Sequence, residues 1–112
     1  MSIRTERVAE EIKHQINTAM SKDLAELHLG LVTVTKVVMS PDLKIAKVYL
    51  TFLGSKETPE RAIAKIDNRK KHIRYELGKK LKLKFTPDIL FFYDDTAEYA
   101  DHINKILNDI KK

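Results

Sequence analysis

Residues 31–53 read LVTVTKVVMSPDLKIAKVYLTFL, two strand-like runs joined by a short turn. The first run, 31–39, is rich in β-branched residues and has no helical period, so it predicts a strand. In the second run, 44–53, every other residue is apolar, which predicts a strand with one buried face. Residues 40–43, SPDL, suit a type I turn, because proline presets the backbone of its second position. The stretch therefore predicts an antiparallel hairpin.

Helices are predicted on both sides of this hairpin. Residues 4–22 place apolar side chains at steps of three and four, the period of an amphipathic helix, and residues 23–30 then form a connector. Another helix is expected to start at Thr58 and Pro59, because threonine caps a helix and proline favours its first position.

The C-terminal part of the chain adds a strand and a helix. Residues 89–93, ILFFY, are apolar on both faces, which predicts a well-covered strand. Residues 95–98 form a capping box, and a helix is expected from there to about residue 110. The predicted order is α-β-β-α-α-β-α in an α+β chain.

The basic segment in the middle of the chain should contain a break. Drawn as one helix, residues 60–82 carry an apolar stripe that Lys70 interrupts, with Arg69 on its flank. Two cations facing the core would be costly. We therefore predict that the helix breaks at an elbow, residues 68–71, and resumes over about residues 72–80.

Positive charge is concentrated around this elbow. Residues 61–84 hold ten Lys and Arg against Asp67 and Glu76, a net +8 in a chain of +5, so the remainder is −3. Cations gathered on one segment usually form a surface for a polyanion. Cations around an aromatic ring suit a phosphate backbone with a stackable base. The predicted outer face of the second helix consists of Lys71, Tyr75, Gly78, Lys79 and Lys82.

Two plainer interpretations stay open for this face. The helix can be a solvated, lysine-rich surface without a ligand. Gly78 can serve the close packing of a neighbouring element, since glycine in mid-helix costs about 1 kcal/mol relative to alanine.

Composition excludes several classes of function. The 112 residues contain no cysteine, so thiolate catalysis, disulfides and cysteine-type zinc sites are ruled out. The chain shows neither an apolar signal core nor a membrane-length apolar run, which predicts one cytoplasmic domain. Glu98 and His102 are interpreted as a surface pair and not a metal site. We predict no catalytic residue, no metal and no cofactor.

Several motifs, taken in order, resemble one known family. They are RxxRVxxxI at 4–12, VMSPDL at 38–43, AKVYLT at 46–51, IRxxLGxxLxLKxxP at 73–87 and FxxD at 91–94. Together they cover nearly the whole chain and are similar to the ribosome-binding factor A family of bacterial ribosome-assembly proteins.

The resemblance implies a type II KH-like fold, with helices covering one face of a three-stranded mixed sheet. It implies one RNA-binding domain over residues 1–112, in which residues from about 95 to 112 form a C-terminal helical extension. It also implies binding to the small (30S) ribosomal subunit and its 16S rRNA during late maturation, a link to growth in the cold, and no catalysis. We expect a monomer without a membrane or small-molecule partner.

The resemblance also bears on the elbow. KH domains clamp nucleotides with a GxxG loop, which the three glycines of this chain do not form. The family is expected to carry an Ala-x-Gly kink instead, and Arg-Lys-Lys at residues 69–71 replaces it and makes the elbow more cationic.

The expected RNA contacts follow from the charge and the resemblance together. A general single-strand nucleic-acid-binding protein and a basic protein–protein adaptor remain the alternatives. The predicted RNA-binding residues are Arg69, Lys70, Lys71, Arg74, Tyr75, Gly78, Lys79, Lys80, Lys82 and Lys84, with Arg4 and Arg7 as a secondary contact.

Overall fold

The computed structural model describes residues 3–96. Within them the order of elements is α-β-β-α-α-β, as predicted. The C-terminal helix to residue 110, and most of the extension at 95–112, lie outside the described residues. The elements are α1 (Ile3–Leu27), β1 (Leu31–Met39), β2 (Ile45–Leu53), α2 (Pro59–Asp67), α3 (Lys70–Lys80) and β3 (Asp88–Tyr93).

The three strands form one mixed sheet in the order β1-β2-β3. β1 and β2 pair antiparallel, with Leu31 opposite Leu53, which confirms the predicted hairpin. Its turn closes where the Leu43 N–H donates to the Ser40 carbonyl at 3.0 Å. β3 pairs parallel to β2, because α2 and α3 supply the crossover that a parallel connection requires.

The helices cover one face of this sheet. α1 packs on β1 and α3, and α2 packs on β3. Among the fully buried residues of the resulting core are Ile12, Ile16, Ala46, Val48, Leu50, Ile66, Ile73, Leu77 and Ile89.

The strand predicted at residues 89–93 is confirmed as β3, but it is less well covered than predicted. β3 is an edge strand of the sheet, and the helices within residues 3–96 pack on one side of that sheet. Ile89 and Phe91 are buried beneath those helices, whereas Phe92 on the other face is 39% exposed and stacks on Tyr49.

The predicted end of the first helix at residue 22 is also wrong, because α1 continues to Leu27. Leu24 and Leu27 extend its apolar stripe and pack against the core. The helix ends where His28 and Gly30 take positive φ angles of 53° and 75°. A Cβ at Gly30 would clash with the Leu53 carbonyl oxygen, so the chain requires glycine there.

The predicted break is confirmed and lies at the first two residues of the elbow. Thr58 caps α2 as expected, accepting the Arg61 N–H at 3.3 Å. After Asp67 the backbone passes through Asn68 (φ −65°, ψ −18°) and Arg69 (φ −101°, ψ 6°). Because these angles stay near the helical region, α3 resumes already at Lys70 rather than at the predicted residue 72. Neither φ is positive, so the break does not require glycine.

No helix within residues 3–96 is both long and apolar enough to cross a membrane.

Candidate nucleic-acid interface

Two cations of the elbow are held by carboxylates. Arg69 Nη1 lies 3.0 Å from Glu26 Oε2 and 3.4 Å from Asp23 Oδ1, both near the end of α1. The hydrogen bond to Glu26 raises the pKa of Arg69 above its ordinary value. Lys70 Nζ pairs with Asp67 Oδ1 at 3.1 Å. These ion pairs hold the break in place, so part of the cationic charge at the elbow is already neutralised.

Asp23 is the residue of this region that sequence reasoning missed. Its side chain is only 3% exposed, and His72 Nδ1 lies 2.9 Å from its Oδ2 while Arg69 approaches the other oxygen. A signal was present in the sequence, because Ile16, Ala19 and Asp23 follow one another at helical spacing on one stripe. A carboxylate on a core-facing stripe needs partners from elsewhere in the chain.

The exposed face of α3 contains three of the five residues predicted for it, Lys71, Tyr75 and Lys79. The Tyr75 ring is 64% exposed, and Lys79 Nζ lies 4.6 Å from its centroid. Lys79 also approaches Glu76 Oε1 at 3.4 Å. Lys71 and Lys80 are exposed on the same helix. The face therefore offers a ring for stacking with a cation already beside it.

Arg74 and Gly78 face the loop that follows α3. Arg74 donates from Nε to the Pro87 carbonyl at 3.1 Å and from Nη2 to the Thr86 carbonyl at 2.9 Å. A Cβ at Gly78 would lie 2.6 Å from Thr86 Oγ1. Arg74 and Gly78 thus position the loop at 86–87 against the helix. The contact at Gly78 supports the interpretation that this glycine serves close packing.

The placement of Lys82 on the outer face of this helix is wrong. α3 ends at Lys80, because Leu81 adopts an extended backbone (φ −90°, ψ 142°) and turns its side chain into the core. Lys82 and Lys84 are exposed on the extended segment that follows.

The structure brings the predicted primary and secondary contacts together. Arg7 lines the same surface depression as Lys82, and Arg4 lines a neighbouring groove with Lys84. The N-terminal turns of α1 therefore add two cations beside the segment after α3. Sequence alone could not place them, because Arg7 and Lys82 are 75 positions apart in the chain, and Arg4 and Lys84 are 80 apart.

Several of these cations have no acidic partner within the part of the chain that the structure describes. A cation without such a partner can bind an external anion at a lower cost. They are Arg4, Arg7, Lys71, Lys80, Lys82 and Lys84.

Over residues 3–96 no three His, Asp or Glu side chains converge in a way that could hold a metal ion. The arrangement that does exist is a row of exposed cations with aromatic rings among them. Such an arrangement is suited to a polyanion that carries flat, stackable groups.

Comparisons with known proteins point to one family. The family profile described as ribosome-binding factor A matches residues 4–107. A relative in Geobacter sp. (strain M21), named ribosome-binding factor A, is 40% identical over 96% of this chain and 90% of its own length. The crystal structure of ribosome-binding factor A from Thermus thermophilus has a TM-score of 0.59 at 19% identity, over 76% of this chain and 94% of that chain. Coordinates of the Thermus thermophilus factor fitted into a map of its 30S complex give a TM-score of 0.58 at 20% identity, over 75% and 92%.

Proposed function

This chain belongs to the ribosome-binding factor A family, and we therefore propose that it binds the small, 30S ribosomal subunit during the late maturation of that subunit. The match of the family profile across residues 4–107 carries this proposal. The family is a non-enzymatic class of assembly factor, so the chain acts by binding and not by catalysis.

The contact with the subunit is made, in this proposal, to its 16S rRNA by α3 and the segment after it. The supporting observation is the set of exposed lysines without acidic partners among the described residues, of which Lys71, Lys80 and Lys82 lie in or directly after α3. Such lysines replace counterions at phosphates, and the released counterions drive binding. Tyr75 supplies a ring for an unpaired base.

The predicted RNA-binding set then divides into two groups. Lys71, Tyr75, Lys79, Lys80, Lys82 and Lys84 contact RNA, and Arg4 and Arg7 extend the contact. Arg69, Lys70, Arg74 and Gly78 instead position the elbow and the following loop, because their groups are engaged within the protein.

The proposed mechanism uses binding energy to favour one conformation of the rRNA. A protein that binds one conformation better than another shifts the population toward it by its difference in affinity. The factor stays bound until maturation replaces that conformation, and is then released. The chain acts as a monomer in the cytoplasm, and its link to growth in the cold stays a prediction.

Sedimentation of a tagged copy through a sucrose gradient tests this function. We expect the protein with free 30S particles and little of it on assembled ribosomes. An even spread over the gradient, or protein only at the top, would contradict the proposal. A tight protein complex that survives nuclease treatment would instead favour the adaptor, and equal affinity for any single strand would favour a general nucleic-acid binder.

A further inference from the structure

A groove opens between the first turn of α1, the β1–β2 turn and the segment after α3. It has a volume of about 610 Å³, and its walls include Arg4, Lys44, Leu83, Lys84 and Phe85. This volume lies within the range of roughly 300–1,000 Å³ that is typical of small-ligand sites. The groove is therefore large enough for one nucleotide.

Phe85 is the most unusual residue of this groove. Its side chain is 76% exposed, more than any other large apolar side chain among residues 3–96. Lys84 Nζ lies 5.6 Å from the centre of its ring. An exposed aromatic ring with a cation at its side is the arrangement on which unpaired bases stack.

The segment that carries Phe85 is fixed from below. Arg74 holds the carbonyls of Thr86 and Pro87 at 2.9 and 3.1 Å, and Pro87 is fully buried. Because this segment is already held in one conformation, its aromatic ring loses less conformational freedom when a ligand binds. The inward-facing Arg74 side chain therefore serves to hold the segment that carries Phe85.

The charge of the groove is positive. Arg4, Lys44, Arg74 and Lys84 line it against two carboxylates, those of Asp42 and Asp88. Each carboxylate is engaged locally. Asp42 accepts the Ser40 hydroxyl at 2.6 Å and the Lys44 N–H at 3.1 Å. Asp88 accepts the Ile89 N–H at 2.9 Å.

The groove is continuous with the surface already assigned to RNA. Leu83 lines both this groove and the depression that Arg7 and Lys82 share. A strand that follows α3 past Lys80 and Lys82 therefore reaches the groove without leaving the cationic surface.

We propose that this groove receives an unpaired nucleotide of the bound RNA, with its base stacked on Phe85 and its flanking phosphates at Arg4 and Lys84. The inference rests on the proposed function, because the strand is the one that α3 binds. It adds a second aromatic contact, beyond Tyr75, from a residue that was not among those predicted to bind RNA. The cations at the rim favour RNA over an apolar peptide.

The first test measures binding of the full chain to 30S particles purified from cells that lack this gene, across a salt series. Phe85→Leu should weaken binding about 5- to 150-fold, because one stacked base contributes that much. Its slope of log K against log salt should not change, since no charge is removed. Phe85→Trp should bind at least as well as the wild type. The combined Arg4→Gln and Lys84→Gln change should make this slope shallower by about 1.4, because two phosphate contacts are lost.

Leu53→Ala is the matched control. Leu53 is 71% exposed and lies at the far end of β2 from the groove, so its loss should leave both affinity and slope unchanged. Equal effects of Phe85→Leu and Leu53→Ala would overturn the proposal. If the wild-type protein binds 30S particles and no groove variant changes the affinity, the groove proposal is also overturned, whereas the proposed function stands.

A second measurement identifies the ligand directly and does not depend on affinities. A photoreactive benzoyl-phenylalanine at position 85 should crosslink to an unpaired nucleotide of the 16S rRNA in the 30S complex. Crosslinking to a ribosomal protein, or no crosslinking in a complex that forms normally, would overturn the inference. Failure of the wild-type protein to bind 30S particles at all would instead refute the proposed function itself.

Discussion

The ring of His72 meets the carboxylate of Asp23 at 2.9 Å, in a place where the aspartate is almost completely buried. One residue lies near the end of the first helix and the other in the first turns of α3. Arg69 approaches the same carboxylate and also pairs with Glu26, so a buried acceptor and an exposed one join the elbow to α1. The position of the cationic surface therefore depends on a group that is itself buried.

Removal of this acceptor should destabilise the fold. Asp23→Ala deletes the hydrogen bonds from His72 and Arg69, and we expect a loss of about 1–3 kcal/mol in the free energy of unfolding. Urea denaturation measures the loss. Glu10→Ala, an exposed change on the same helix, should stay within about 0.5 kcal/mol. Equal stability of the two variants would show that Asp23 does not hold the elbow.

Gly78 and Thr86 should be coupled. Alanine at position 78 gains about 1 kcal/mol of helix propensity, but its Cβ would meet Thr86 Oγ1 at 2.6 Å. Gly78→Ala should therefore be more favourable in a Thr86→Ala background than in the wild type. A double-mutant cycle should give a coupling of about 0.5 kcal/mol or more. Additive effects would mean that glycine is not needed for this contact.

Thr35 should control the titration of Asp94 at the end of β3. The Thr35 hydroxyl donates to the Asp94 carboxylate, and this hydrogen bond lowers the pKa of Asp94 below its ordinary 3.8. A carboxyl with a lowered folded pKa adds stability above pH 3.8 that is lost as the pH falls through the folded value. In Thr35→Val the Asp94 pKa should rise, which carboxyl-carbon NMR can follow. The stability difference from the wild type should shrink below pH 3.8, and a constant difference would contradict this assignment.

The unpaired lysines of the cationic surface should act through counterion release. Replacing Lys71, Lys80 and Lys82 together by Ala should make the slope of log K against log salt shallower by about 2 for single-stranded RNA. The control removes three exposed lysines elsewhere, Lys36, Lys47 and Lys56, with the same loss of net charge. Similar slopes for the two triple variants would mean that net charge, and not this surface, governs binding.

Tyr75 should contribute by stacking and not by charge. Tyr75→Ala should weaken RNA binding by about 1–3 kcal/mol at every salt concentration, without a change in slope. Tyr75→Phe keeps the ring that Lys79 approaches at 4.6 Å and should bind like the wild type. A full loss in Tyr75→Phe would assign the effect to the hydroxyl group.

Much of the fold was accessible from local sequence because its signals are local. Alternation along 44–53 and the turn at 40–43 predicted the hairpin. The break was predictable because Lys70 interrupts an apolar stripe, a conflict within one segment. The errors concern the limits of elements, as at the end of α1 (Leu27) and the start of α3 (Lys70), where packing and backbone angles decide.

Spacing and charge along the chain were enough to predict the order of the elements within residues 3–96, the elbow and the concentration of cations near it, because they are properties of neighbouring residues. Which of those cations face outward depends instead on tertiary packing. Arg74 is drawn to the carbonyls of residues 86–87, and Arg69 to carboxylates on α1. The same packing brings Arg4 and Lys84 to one groove and leaves Phe85 exposed there. These contacts join residues far apart in the chain, so they depend on how the helices pack on the sheet and not on any local pattern.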